Sequence, residues 1–316
     1  MDKQLRIGIL DYTAVIQPAL PELGLIRKEN PDHVLREAIR KRGHLPVTYK
    51  VDKCQMFFHG RKSEILYNNR KIKNCDVLIP RVSVNRSVDL EISIIKQFQM
   101  LGVPVVNKYL AVASSKNNLR TLQVLTKMRI PVPRTIVIRR FEYLDEAVKK
   151  VGGYPVIIRS PYGTEGREIV IIESRRSLYS ALDTIWRQSQ TGIILIQEYV
   201  AQTTGSDCYA FVVGDKVVAS MKRAEAADNY DIKTGSAGKV IRAKLTAEEE
   251  NIAIRAAKAM GLDVCGIDIL RGTSGPVIME MNPNPVLDGI SQVTGVDVAA
   301  EVVKLAVQLA NKNRMI

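Results

Sequence analysis

Asp268 lies in one apolar run, CGIDIL, while Glu280 and Asn282 lie two apart in the next, PVIMEMN, and the intervening RGTSG is short enough for a hairpin turn. Side chains at i and i+2 share a face of a strand. A turn centred near Ser274 would set Asp268 opposite Glu280 on the face that also carries Asn282. Three oxygen ligands would then meet among apolar neighbours. Two carboxylates cannot be held together there without a cation or a basic partner. Oxygen donors with no Cys or His favour magnesium, with manganese second, over zinc. The alternative is that these carboxylates sit at solvated strand ends.

A second candidate is the turn Gly163-Thr164-Glu165-Gly166 between the strand patterns Val156 to Arg159 and Glu168 to Ile172. Its glycines would let backbone N–H groups approach phosphate oxygens. It matches neither GxxxxGK[ST] nor GxGxxG, and a plain hairpin is the simpler reading. The three histidines, His33, His44 and His59, all fall in the first fifth of the chain, so no Ser-His-Asp site is expected in the rest. Cys54, Cys75, Cys208 and Cys265 form no CxxC pair and read as reduced, mostly buried thiols.

The elements that would position these residues alternate. Leu5 to Leu10 reads as a strand and Pro31 to Gly43 as an amphipathic helix. A second strand at Val77 to Pro80, a helix from Leu90 to Gly102 and a third buried strand at Val103 to Val106 complete a small parallel α/β unit, with Gly60 to Lys73 as a solvated hairpin or loop. One helix is expected from Ser114 or Ser115 to Met128, and others from Tyr143 to Lys150 and Ser177 to Gln190. Ile193 to Val200 reads as a strand, and Tyr209 to Val213 pairs with Lys216 to Lys222 through Gly214-Asp215. Thr246 and Glu249 form a capping box for a helix ending at Gly261, and Val298 to about Asn311 is a last helix.

The chain has 316 residues, 46% hydrophobic and 25% charged, a composition that supports two or three packed units. No stretch approaches the roughly 18 to 20 uncharged apolar residues of a membrane span, and the opening MDKQLRIGIL lacks a secretory run, so a cytoplasmic protein is expected. A net charge of +13 favours anionic partners such as nucleotides or acidic peptides. Nucleic acid is disfavoured, because aromatics are only 5% and are not interleaved with the basic residues.

The ordered segments IRSPYGTEG, LIQEYV, SDCYAFVVGDKVVASMKR, CGIDIL and EMNPNPVLDGISQVTGVDVA resemble the RimK-type ATP-grasp ligases, and HGRK, CDVLIPRV, QFQMLGVPVVN and LRTLQVLTK look like the same family's first domain. The resemblance implies an α/β, three-unit ATP-grasp architecture. Residues 1–105 would be the N-terminal domain, 106–192 the central lid and 193–316 a C-terminal antiparallel-sheet domain with the metal site. It implies ATP and magnesium as cofactors, with Asp268, Glu280 and Asn282 as metal ligands. Gln197, Glu198, Tyr199 and Val200 would form the hinge strand that reads adenine, and Glu198 or Asp207 would hold the ribose. The same likeness makes Gly163, Thr164, Glu165 and Gly166 a mobile flap over the phosphates and Arg223 a cation for the transferred phosphoryl group.

The family joins glutamate and other amino acids to carboxylates through an acyl phosphate, so the implied partners are amino-acid and carboxylate substrates, among them acidic peptides, and a homo-oligomer. The departures from its pattern are at cationic positions. Asn118 stands where a lysine is usual, with Lys116 two residues before it, and Arg159 replaces a second lysine. Tyr209 replaces an arginine. The substrate loop reads Asp231 to Gly238, with Lys233 as its one cation, and Pro285-Val286 replaces a Pro-Gly. A catalytically degenerate nucleotide-binding relative, acting as regulator or partner subunit, is the alternative reading.

Overall fold

The computed structural model describes residues 4–11, 33–81, 88–161, 170–188, 192–200, 207–223, 240–272 and 274–314, with the side chains of residues 88, 182–188 and 223 excepted. The expected flap at Gly163 to Gly166 and the substrate loop with Lys233 lie outside the described residues.

The first unit begins as expected. Strand β1 (Arg6–Asp11) is followed by α1 (His33–Lys41), whose Leu35, Ala38 and Ile39 are buried, and by β2 (Leu45–Lys50). Next come β3 (Cys54–His59), β4 (Lys62–Tyr67) and the two-residue β5 (Arg70–Lys71), which form a small antiparallel sheet of their own. The segment expected as a hairpin or loop therefore contributes a sheet, one side of which packs through Ile65, Met56 and Tyr67. Strand β6 (Val77–Arg81) joins β1, giving a parallel sheet in the order β2-β1-β6, and α2 (Val88–Met100) follows.

Two expectations for the next segment require correction. Val103 to Val106 forms an isolated parallel bridge between Val105 and Leu78 instead of a strand. Both Leu78 N–H to Pro104 O and Val106 N–H to Leu78 O are made, but Pro104 has no N–H with which to extend the ladder. The helix expected from Ser114 or Ser115 to Met128 is two helices, α3 (Tyr109–Ser115) and α4 (Asn118–Lys127). Asn117 breaks them apart: its backbone is extended and its side chain caps α4 by accepting the Arg120 N–H at 3.1 Å.

The second layer is a four-stranded antiparallel sheet. Strand β7 (Thr135–Ile138), α5 (Leu144–Val151), β8 (Val156–Arg159), β9 (Val170–Ile172), α6 (Arg175–Gln188) and β10 (Ile194–Glu198) follow in order, and the strands lie as β7-β10-β8-β9. Ile158, Val156, Ile194 and Ile196 turn to one face, where Leu144, Val148 and Leu178 of the two helices cover them. Leu195, Gln197, Ile157 and Arg159 alternate to the other face. Thr135–Ile138 is not evident in the sequence beside Pro131 and Pro133. It becomes a strand by pairing with β10, some sixty residues later.

The third layer is the five-stranded antiparallel sheet β13-β12-β11-β14-β15, built from β11 (Asp207–Val213), β12 (Lys216–Arg223), β13 (Val240–Arg242), β14 (Val264–Gly272) and β15 (Gly275–Asn282). Helix α7 (Ala247–Met260) covers one face, packing on Cys208, Ala210, Val212, Cys265 and Ile267. Its predicted capping box is present. Thr246 Oγ1 accepts the Glu249 N–H at 3.2 Å, and Glu249 Oε2 accepts the Thr246 N–H at 2.8 Å. Phe211, Val213 and Val264 face the other way. With α8 (Leu287–Thr294) and α9 (Val298–Arg314) they share a core with Ile7, Ile9, Leu35 and Ile79 of the first unit.

Asn107 closes this junction. It is 2% exposed, and its Nδ2 donates to Val264 O at 2.6 Å and to Pro283 O at 2.9 Å, while its Oδ1 accepts the Val264 N–H at 2.8 Å. An Asn107→Leu replacement would leave three buried backbone groups without partners. We expect it to cost about 2–4 kcal/mol in chemical denaturation; a loss below about 1 kcal/mol would show that these groups find other partners.

Candidate functional site

The ladder between β14 and β15 pairs Asp268 with Glu280 and Gly266 with Asn282, and a bulge follows between Asp268 and Ile269. The carboxylate pair is thus opposed across the hairpin, and the bulge produces this, because the ladder from Ile269 to Gly272 runs one residue out of register with it. On the other side of β14, Tyr209 of β11 is the partner of Asp268, and Asp207 pairs with Leu270. Asp207, Tyr209, Asp268 and Glu280 therefore share the face opposite α7, just past the apolar junction formed by Phe211, Val213 and Val264. Asn282 Oδ1 accepts the Asn284 N–H at 2.8 Å, which holds the turn after β15 and leaves the oxygen its second lone pair.

The charge of this pair is met from the second layer. Arg159, at the end of β8, is 6% exposed. Its Nη2 lies 3.6 Å from Glu280 Oε2 and donates to Asn118 Oδ1 at 3.3 Å, and its Nη1 donates to Met279 O at 3.3 Å. Burial draws the guanidinium pKa down, and the carboxylates of Glu280 and Asp268 oppose that shift. Arg159 Nε and Gln197 Oε1 are both buried without a protein partner, although Gln197 Nε2 donates to Thr135 Oγ1 at 2.9 Å. Two orphaned polar atoms on one face of the smaller sheet mark a surface suited to a polar ligand.

Two carboxylates, an amide oxygen and a buried guanidinium fit a divalent cation carrying phosphate oxygens. Among the described residues no three His, Cys, Asp or Glu side chains cluster.

Of the four residues expected as the hinge, Gln197 and Glu198 end β10, and Tyr199 and Val200 follow it. Glu198 ends the strand, and its carboxylate is held by Arg134, which donates through both its backbone N–H and Nε. Tyr199 and Val200 continue past the β14–β15 turn, where a side chain at Gly272 would meet Val200 Cγ1 at 3.4 Å. Arg223 ends β12, paired in the ladder with Val240. Lys116 is buried and lies near Glu91, whose carboxyl group burial pushes up to about 7 against the pull of that lysine. Asn118, two residues further on, reaches Arg159.

Arg81, Asn107 and Gly266, none singled out in the sequence, shape the same place. Arg81, at the carboxyl end of β6, donates Nη1 to Pro285 O at 3.0 Å and, with Asn107, holds the turn after Asn282. Gly266 is required by Tyr209: a Cβ at this glycine would lie 1.8 Å from Tyr209 Oη and 2.4 Å from Cζ. The ring lies across the glycine, and burial, followed by the nearby Asp268, pushes its phenol upward in pKa. A Tyr two residues after an Asp at the start of a strand gives no sign of this; the partner glycine is some sixty residues away.

Residues 115–306 match the family profile described as the RimK-like ATP-grasp domain, and residues 26–112 the RimK PreATP-grasp domain. The chain belongs to the RimK family of ATP-grasp ligases. It is 36% identical over 270 residues to a probable alpha-L-glutamate ligase of Picosynechococcus sp., covering 85% of this chain and 89% of that protein. A probable alpha-L-glutamate ligase of Nitrosococcus oceani is 35% identical over 280 residues, 89% of this chain and 92% of its own length. Among solved structures, the ATP-grasp ligase PsnB in complex with a minimal precursor, Mg and ADP superposes with a TM-score of 0.69 at 18% identity, over 97% of this chain and 98% of that one. The D-alanine–D-alanine ligase of Bacillus anthracis gives 0.69 at 15% identity, over 98% and 99%. At these identities the structural likeness is one of fold. The RimK-type ligase has no helix, among its described residues, that is long and apolar enough to cross a membrane.

Replacing Gly266 with Ala should drive Tyr209 off its seat and cost about 1–3 kcal/mol. In a Tyr209→Ala background the same replacement should cost less than about 0.5 kcal/mol. Equal losses in the two backgrounds, measured by denaturant unfolding, would remove Tyr209 as the reason for the glycine.

Proposed function

We propose that this ligase activates a substrate carboxylate with ATP and joins it to the amine of an amino acid, glutamate being the first candidate from the names of its relatives. The observation that carries the reading is the opposed pair Asp268 and Glu280 beneath Arg159, between two antiparallel sheets. In this reading the three expected units, 1–105, 106–192 and 193–316, serve as substrate platform, lid and metal-bearing domain. ATP takes the cleft between the two sheets, with adenine along Gln197 to Val200 and the ribose beside Asp207. Glu198 is less suited to the ribose, because Arg134 already holds its carboxylate. Asp268, Glu280 and Asn282 would hold magnesium, which, when bound, would offset the charge of the phosphates.

The chain's own groups then do electrostatic and positioning work. Arg159 offers its guanidinium charge to a phosphate oxygen, and Arg223 and Lys233 supply further positive charge to the transferred group. An oxygen of the substrate carboxylate forms a bond to the γ-phosphorus as ADP leaves. The amine nitrogen next bonds to the acyl carbon, phosphate departs with the bridging oxygen, and the nitrogen gives up a proton. Proximity and charge neutralisation suffice, and no covalent enzyme intermediate is needed. The partners are amino acids and small or peptide carboxylates; the net charge of +13 favours acidic ones.

The test is phosphate release from magnesium-ATP across a panel of amino acids and acidic peptides, with products identified by mass. Glu280→Gln should lower turnover roughly 100-fold or more and raise the magnesium concentration needed for half-maximal rate. Unchanged turnover in that variant would exclude Glu280 from the site, and a parent that releases no phosphate with any acceptor would exclude the reaction.

A further inference from the structure

Asn118 and Arg159 are 41 residues apart and sit in different layers, yet they are joined by a hydrogen bond. Helix α4, which Asn118 opens, packs on α7 behind the large sheet, whereas Arg159 ends a strand of the smaller sheet. Asn118 spans the two. Its backbone N–H donates to Pro161 O at 2.7 Å, its Nδ2 donates to Ser160 O at 3.1 Å, and its Oδ1 accepts from Arg159 Nη2 at 3.3 Å. All the hydrogen-bonding groups of one short side chain are thus directed at the end of β8.

The guanidinium has reason to need such a guide. It is buried, its Nη1 is fixed by Met279 O, and its Nη2 stands between Asn118 and Glu280. Without an acceptor on the Asn118 side, the attraction of Glu280 would pull the group onto the carboxylate pair. We propose that Asn118 is the positioning residue for Arg159, and that the two form one phosphate-orienting unit in which the amide holds the guanidinium between the acid pair and the nucleotide. This rests on the reading of the cleft as a nucleotide site.

The experiment is a double-mutant cycle on the full chain, read as magnesium-ADP affinity by calorimetry. Asn118→Ala should weaken binding about tenfold in the parent, the effect of losing one hydrogen bond to a charged group. In an Arg159→Met background, where there is no guanidinium to position, the same change should weaken it less than twofold. Equal weakening in both backgrounds would overturn the inference and assign Asn118 to holding Ser160 and Pro161, as would an unweakened Asn118→Ala in the parent. Should Asn118→Ala not give a cooperative melt, Asn118→Ser goes through the same cycle. A parent that binds no magnesium-ADP would overturn the nucleotide reading and the inference together, which separates that failure from the failure of the inference alone.

Discussion

Two carboxylates opposed on one β-ladder repel each other, and the rest of this structure is arranged around that repulsion. Asp268 and Glu280 are placed by the hairpin β14–β15, whose register is set by apolar residues on the α7 side: Ile267, Ile269, Ile278 and Met281. A slip of one residue would bury the acids and expose those side chains, so the core holds the charges in place. Relief comes from Arg159, a cation on another sheet. The gap between the sheets is therefore bridged at the point where charge must be balanced, and a ligand that brings both a cation and an anion fits the same balance.

The large sheet performs its two tasks on one face. Toward Val213 and Val264 that face is apolar and merges with the interior of the first unit; toward Asp207 and Asp268 it is polar. The boundary is guarded by Asn107, which satisfies backbone groups of β14 and of the turn after β15, and by Arg81, which holds that turn at Pro285. The parallel sheet thus presents the carboxyl end of β6 to the carboxylate pair, the end at which open parallel sheets bind ligands.

The changed cationic positions acquire meaning in this setting. Tyr209 fills a slot made by Gly266, so its body is part of the floor of the site. Lys116, two residues before Asn118, is buried near Glu91. Asn118 instead partners the residue that stands at the other changed position, Arg159. Two of the changes that look independent along the chain are in contact.

How much of this was legible beforehand depends on how local each feature is. Spacing and a period of two brought Asp268 and Glu280 to neighbouring strands of one hairpin, but the strands pair in as far as Gly272 and Gly275, and it is the bulge after Asp268 that sets the two acids directly opposite. The capping box at Thr246 and the ends of β8 were equally readable, being fixed by neighbours in sequence. Where a proline removed a donor, at Pro104, or an asparagine offered an alternative acceptor, at Asn117, the apolar pattern misled: periodicity registers side chains and not backbone hydrogen bonds. Strand β7 and the Tyr209–Gly266 and Asn118–Arg159 contacts join segments some forty to sixty residues apart. Only the packing of the three layers decided them, since the energy of each such contact exists only when its partner is brought to it.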